Sequence, residues 1–168
     1  MKTLVVYYSK SGNTKAVAEA IAAAAGADTE RIVEIGVKRD GFLGFLRSGR
    51  DGMRKRPSAI EAPKARAADY DCVIVGTPVW GWNLVPAIRS YLSSAKLAGT
   101  RVAFFCTMGS SGYEKTFASM RQLAHGAELL GDLAIAQEEL KDRSVLHNRI
   151  AAWLDSIGVA ANEHHRAE

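Results

Sequence analysis

Cysteine is almost absent. Cys72 and Cys106 are the only two in 168 residues, too few for the disulfide framework of a small secreted domain. Cys72 falls near the start of one expected strand and Cys106 near the end of its neighbour. That stagger of roughly 13 Å, at ~3.3 Å per residue, is too wide to bridge. Long apolar runs are missing as well. None approaches ~20 residues, so no membrane-spanning helix is expected. The first apolar run is too short for a signal peptide and continues directly into a polar loop. These absences make a reduced, cytoplasmic protein the expectation. Several phosphate-handling signatures are also lacking: there is no Gly-x-x-x-x-Gly-Lys and no Gly-x-Gly-x-x-Gly, although Glu34 lies at a distance suited to reading a ribose. No cysteine stands in the first loop, as a cysteine-based phosphatase would need. His125, His147, His164 and His165 have no Cys or carboxylate companions at ligand spacing, so no metal site is expected. No serine or cysteine shows the surroundings of a catalytic nucleophile, and Cys106 reads as a buried, inert thiol.

The remaining composition, 48% apolar and 24% charged, is that of an ordinary globular chain. It is expected to form one domain over residues 1–160, with a frayed tail at 161–168. Charge is unevenly spread. Residues 37–66 hold nine Lys and Arg against three acidic residues, a local +6 within a chain of net +4. That segment is also the least regular, with Gly41, Gly44, Gly49, Gly52, Pro57 and Pro63. One short helix is expected near residues 42–50.

The most informative stretch is Tyr7-Tyr8-Ser9-Lys10-Ser11-Gly12-Asn13-Thr14. An apolar, β-branched and aromatic run, Thr3-Leu4-Val5-Val6-Tyr7-Tyr8, precedes it and reads as a buried strand. An alanine-rich helix over 15–25, closed by Gly26, follows it. A tight strand-to-helix turn of this kind aims free N–H groups and the positive end of the helix dipole past the strand, which makes an anion site suited to phosphate. Ser9, Ser11, Asn13 and Thr14 offer further donors, Lys10 adds a charge, and Gly12 lets the backbone bend close. The same residue types also suit a plain helix cap.

Beyond it, residues 29–35 alternate as a half-exposed edge strand would. Asp71-Cys72-Val73-Ile74-Val75-Gly76 is a continuous apolar run typical of a central parallel strand. It leads into a loop of Thr77, Pro78, Val79, Trp80, Gly81 and Trp82, then a helix from about Pro86. Arg101-Val102-Ala103-Phe104-Phe105-Cys106 is the next strand. Its exit loop is Thr107, Met108, Gly109, Ser110, Ser111 and Gly112, before a helix over 113–124. A last strand falls within 128–136, where Gly131 suggests an edge position or a bulge. The final helix runs over 143–157. Five strands alternating with helices predict an α/β fold, a doubly wound five-stranded parallel sheet, whose ligands bind beyond the carboxyl ends of the strands.

Three polar, glycine-bearing loops leave those ends. The first suits a phosphate. In the second, one tryptophan is expected in the core and the other, Trp80, over something flat and aromatic. The third has little side-chain bulk, so its backbone can approach a planar heterocycle edge-on. Together they describe a site for flavin mononucleotide (FMN).

Ser9-x-Ser11-Gly12-Asn13-Thr14 resembles the phosphate loop of the flavodoxin family, Thr/Ser-x-Thr/Ser-Gly-x-Thr. Thr77-Pro78-Val79-Trp80-Gly81 and Gly109-Ser110-Ser111-Gly112 resemble its two isoalloxazine loops. The resemblance implies non-covalent FMN, strand order 2-1-3-4-5 and the short-chain form. It also implies a redox carrier between a reductase and an acceptor, or a flavin-dependent NAD(P)H oxidoreductase acting on quinones or similar small acceptors. The chain departs from the family's acidic carriers in being basic, and its third loop has no carboxylate before Glu114. The basic segment 38–66 has the chemistry to meet an acidic protein surface or the 2′-phosphate of NADPH, and equally suits a solvated surface. No nucleic-acid motif accompanies it, so no nucleic-acid partner is expected.

Overall fold

The structure is a computed structural model that describes residues 1–36, 44, 50 and 56–159. β1 (Thr3–Tyr7), β3 (Cys72–Trp80) and β5 (Arg101–Met108) are buried over most of their length, as apolar runs without a polar face must be when both sides of a parallel sheet are covered. With β2 (Asp28–Arg31) and β6 (Glu128–Ala136) on the flanks, the order is β2-β1-β3-β5-β6 and every neighbouring pair is parallel. In terms of the five expected strands this is 2-1-3-4-5. A sixth, β4 (Asn83–Leu84), goes beyond the sequence reading and turns back antiparallel on the end of β3.

Among the described residues four helices with full ranges cover the sheet: α1 (Asn13–Ala25), α2 (Pro86–Ser94), α3 (Tyr113–Leu123) and α4 (Arg143–Ser156). The period-two alternation of the strands assigns side chains to the two faces. Leu4, Val6, Val73, Val75 and Phe104 pack with Ile88, Leu92, Phe117 and Met120 of α2 and α3. Val5, Ile74 and Phe105 pack with Val17 and Ile21 of α1 and with Ile150, Trp153 and Leu154 of α4. Each fully buried Leu, Ile or Phe contributes about 1.5–3 kcal/mol. Local chemistry sets the helix ends. Gly26 closes α1 in the left-handed region, Pro86 opens α2, and the Asp142 carboxylate accepts the Ser144 and Val145 N–H groups at the start of α4.

Both sheet edges differ from simple open strands. The edge expected over 29–35 is shorter, because the chain leaves the β1 ladder after Ile32, whose N–H donates to Tyr7 O. Residues 33–35 then pair with 59–61 through an antiparallel bridge between Glu34 and Ile60 and two backbone bonds. The Glu30 carboxylate accepts the Lys64 and Ala65 N–H groups alongside. At the other edge Val102 pairs with Leu129 but Ala103 pairs with Gly131, so Leu130 is bulged out. Cys106 sits opposite Thr77, five residues up β3 from Cys72, and both cysteines are free and buried. The short helix expected near 42–50 lies outside the described residues except for Gly44 and Arg50, and the 161–168 tail lies outside them entirely.

One close approach holds the centre together. The Phe105 ring lies against the backbone of Gly76, where a Cβ would stand 2.0 Å from Cζ of the ring. Gly76→Ala is therefore expected to destabilise the fold by about 2 kcal/mol or more, since both strands are packed too tightly to separate. A urea-unfolding midpoint unchanged from wild type would show that the ring can move aside.

Candidate functional site

The carboxyl ends of β1, β3 and β5 lie side by side, so the three expected loops converge on one edge of the sheet. The first loop is shorter than its sequence suggests, because α1 begins at Asn13 rather than Lys15. Gly12 is the N-cap, with φ 99°, and no side chain caps the helix. The first-turn N–H groups of α1 have no intrahelical acceptor, and the turn carries no acidic side chain. A Cβ at Gly12 would meet nothing within 4 Å. Ser9 is buried and its Oγ accepts the Gly12 N–H at 3.1 Å, which shapes the loop. Lys10 and Ser11 are exposed and Asn13 is partly so.

Thr14 is buried, and its hydroxyl is bonded to that of Thr107 at 2.8 Å. This bond ties the phosphate-type loop to the end of β5. The third loop beyond it repeats the geometry of the first. Gly112, with φ 98°, is the N-cap of α3, again without a side-chain cap. The two helix ends differ in charge, however, because Glu114 stands in the first turn of α3. Of the two dipole ends, only that of α1 lacks an acidic partner in its own first turn, so an anion belongs there. Between Met108, partly buried, and Gly112 the residues Gly109, Ser110 and Ser111 are exposed, and a Cβ at Gly109 would meet nothing within 4 Å.

The second loop is a correction to the sequence reading. Thr77, Pro78, Val79 and Trp80 continue β3, and only Gly81 and Trp82 form a turn, linking it to β4. Both turn residues have positive φ, 54° and 58°, the signature of a type I′ hairpin. Thr77 is buried. Its hydroxyl donates to Pro78 O and accepts the Val85 N–H, fixing the route into α2. Trp80 is partly buried and packs against the core, with the Tyr8 ring edge-on at 5.6 Å and 88°. The Tyr8 hydroxyl in turn donates to Glu34. Trp82 is 56% exposed, and its backbone presses on Gly112, where a Cβ would lie 3.0 Å from Trp82 Cα. The second and third loops are therefore in direct contact, and only glycine fits between them.

Two contributions were not visible in the sequence. Arg31, at the end of β2, donates from its guanidinium to Ser9 O at 3.1 Å and so places a cation beside the first loop. Its register opposite Tyr7 follows only once β2 is paired with β1. Arg89 of α2 donates to the buried Asn83 Oδ1 at 2.9 Å, behind the hairpin.

A doubly wound sheet with an uncapped helix end, a tryptophan hairpin and a glycine-bearing third loop on one edge defines an open α/β protein with its candidate site at the carboxyl ends of the strands. The profile of the family described as Flavodoxin matches residues 2–157, and the chain belongs to the flavodoxin family. Among solved structures it is similar to a protein described as a flavoprotein from Bacteroides eggerthii, at 26% identity and TM-score 0.78, covering 94% of this chain and 98% of that one. It is also similar to a flavoprotein from Lactobacillus acidophilus described in complex with FMN, at 25% identity and TM-score 0.69, covering 85% and 98%. The flavodoxin of Megasphaera elsdenii shares the fold at 19% identity and TM-score 0.58, covering 90% and 98%.

Two outcomes follow from this geometry. A bulky residue in the left-handed region is strained by roughly 1 kcal/mol or more. Trp82→Asn, which tolerates that conformation, is therefore expected to raise the urea midpoint slightly, by the equivalent of about 0.5–1 kcal/mol; a clear fall would mean that the indole packs well enough to offset the strain. Burial, with a smaller effect of Glu114, pushes the Cys106 thiol up to about 12. Because its pKa is raised, the thiol stays protonated through pH 8. Native protein is expected to leave Cys106 unmodified by a thiolate-selective disulfide reagent at that pH, and unfolded protein to react fully.

Proposed function

We propose that this protein is an FMN flavoprotein that carries electrons between a reductase and an acceptor. The observation that supports the reading best is the open N-terminus of α1, free of side-chain cap and of carboxylate, joined by the Thr14–Thr107 hydrogen bond to the loop that flanks it. FMN has the chemistry this edge is built for. Its phosphate suits the first-turn N–H groups of α1, with Ser11, Asn13 and Lys10 within the same loop and Arg31 behind it. Its planar ring suits the rim beside Trp80 and the exposed backbone of Gly109, Ser110 and Ser111. Met108 and Val79 supply apolar surface at the strand ends.

FMN, when bound, supplies one- and two-electron chemistry. The protein's own part is to hold the phosphate, orient the ring and control what reaches it. Trp80 is held edge-on by Tyr8, and Trp82 stands outside it in the turn, so the hairpin offers one indole backed by the core and one facing out. The charge of segment 38–66 suits an acidic partner protein. The flavin-dependent NAD(P)H oxidoreductase differs in needing a nicotinamide site, and no residue among the described ones marks such a site. Steady-state NADPH oxidation by the pure protein, with and without a quinone, separates the two readings.

The protein is expected to prefer FMN to riboflavin, because the first loop rewards a phosphate and offers nothing to a bare ribityl chain. Ser11→Ala should weaken FMN by about 1–2 kcal/mol, the loss of one charge-assisted hydrogen bond, and leave riboflavin unaffected. Quenching of flavin fluorescence on binding should recover in part in Trp80→Ala. Equal affinity for the two flavins would remove the phosphate-loop assignment. Recovery in Trp82→Ala alone would make the outer indole the one over the ring.

A further inference from the structure

Arg89 carries a partly buried charge that no described carboxylate neutralises. It lies in the first turn of α2, partly buried, and its Nε is enclosed with no acceptor. The guanidinium makes one hydrogen bond among the described residues, to Asn83 Oδ1. Among the described residues no carboxylate pairs with it. Burial holds its pKa below the usual arginine value. A partly desolvated cation without a described counter-ion is a cost to the folded state. Nor does the hairpin depend on it. Asn83 Oδ1 already accepts the Leu84 N–H at 2.9 Å, and Asn83 pairs with Trp80 across β3 and β4.

The fold therefore has no need of this charge, and its position says where it acts. Through Asn83 it stands directly behind the hairpin that carries both tryptophans. We propose that Arg89 is the resident counter-charge for the reduced cofactor, a cation kept in poorly solvated surroundings to stabilise the negative charge that arrives with the electrons. The inference rests on the reading that FMN binds here. Uptake of two electrons and one proton by the flavin ring leaves it with one additional negative charge. The electrons come from the reductase of the proposed function, or from dithionite in a test. The three loops of the site carry no acidic residue until Glu114, and the Glu34 carboxylate is taken up by the Tyr8 hydroxyl. Arg89 is thus a positioning residue for charge: it touches no reacting atom, and its effect is selective for one redox state of the ligand.

That selectivity is the test. Apoprotein of wild type, Arg89→Met and Arg89→Lys would be titrated with oxidised FMN, and the affinity for reduced FMN obtained from the midpoint potentials of bound and free flavin. Thermal unfolding of each apoprotein would be followed in parallel. The expected result is that R89M unfolds no earlier than wild type and binds oxidised FMN within about threefold of it. It should bind reduced FMN about fivefold or more weakly, because the lost unit charge lay in partly desolvated surroundings. R89K, which keeps the charge, should retain the affinity for reduced FMN. Equal weakening of both redox states by R89M, or an apoprotein that unfolds clearly earlier, would overturn the proposal and make Arg89 a strut of the hairpin. Loss of reduced-state affinity in R89K as large as in R89M would overturn it too. A wild type that takes up no FMN would overturn the cofactor reading, and this inference with it.

Discussion

The three central strands have no solvent face, and most of the architecture follows from that constraint. A strand that is apolar on both sides needs helices on both sides, and helices inserted between parallel strands return the chain always in the same direction. The carboxyl ends of β1, β3 and β5 are thereby delivered to one edge, each with a loop to spend before its helix begins. Burial does not choose what those loops bind. It guarantees only that they are neighbours, and the small polar residues at 9–14 and 107–112 then decide the chemistry.

Within that edge the hydrogen bond between Thr14 and Thr107 makes the arrangement one unit. It joins the first turn of α1 to the last turn of β5 across the sheet, out of water, where a hydroxyl pair is expensive to leave unmatched. Gly112 does the corresponding work between the second and third loops by leaving room for the turn at Trp82. The site is consequently less a set of three loops than the rim of the sheet itself, with residues 10–12, Trp82 and residues 109–111 standing clear of it.

The sequence was legible wherever burial was uniform. The runs at 3–8, 71–76 and 101–106 could only be interior strands, and the helices carried ordinary end signals in Gly26, Pro86 and, after the last of them, Gly158. It was less legible where pairing partners lay far apart in the chain. Residues 29–35 alternate correctly for an edge strand, but only the pairing with 59–61 reveals where β2 leaves the sheet. The β3–β4 hairpin was hidden because its turn is Gly81-Trp82 rather than Asn-Gly, and a tryptophan at positive φ is not a turn signal. All three stretches lie at the carboxyl edge of the sheet that strand–helix alternation implies, the second of them as the end of β3 and its hairpin rather than as a loop. What the pattern did not disclose was that Ser9 and Thr14 turn inward to shape the loops, or that Arg89 is enclosed, since a single arginine on an amphipathic helix reads as solvent-facing.

The treatment of the two sheet edges bears on how the protein behaves among copies of itself. An exposed, straight outer strand is a template on which a second chain can add by backbone pairing. Here the β2 side is screened by the run from Ala59 to Ala65, which occupies the bonding positions of 33–35 and the Glu30 carboxylate. On the β6 side the bulge at Leu130 breaks the outer line of amides, and the Glu139 carboxylate takes the N–H of Ala136 at its end. No described edge presents a long flat ladder, so crowding of this chain, in a cell or in a concentrated preparation, offers little purchase for intermolecular β-aggregation.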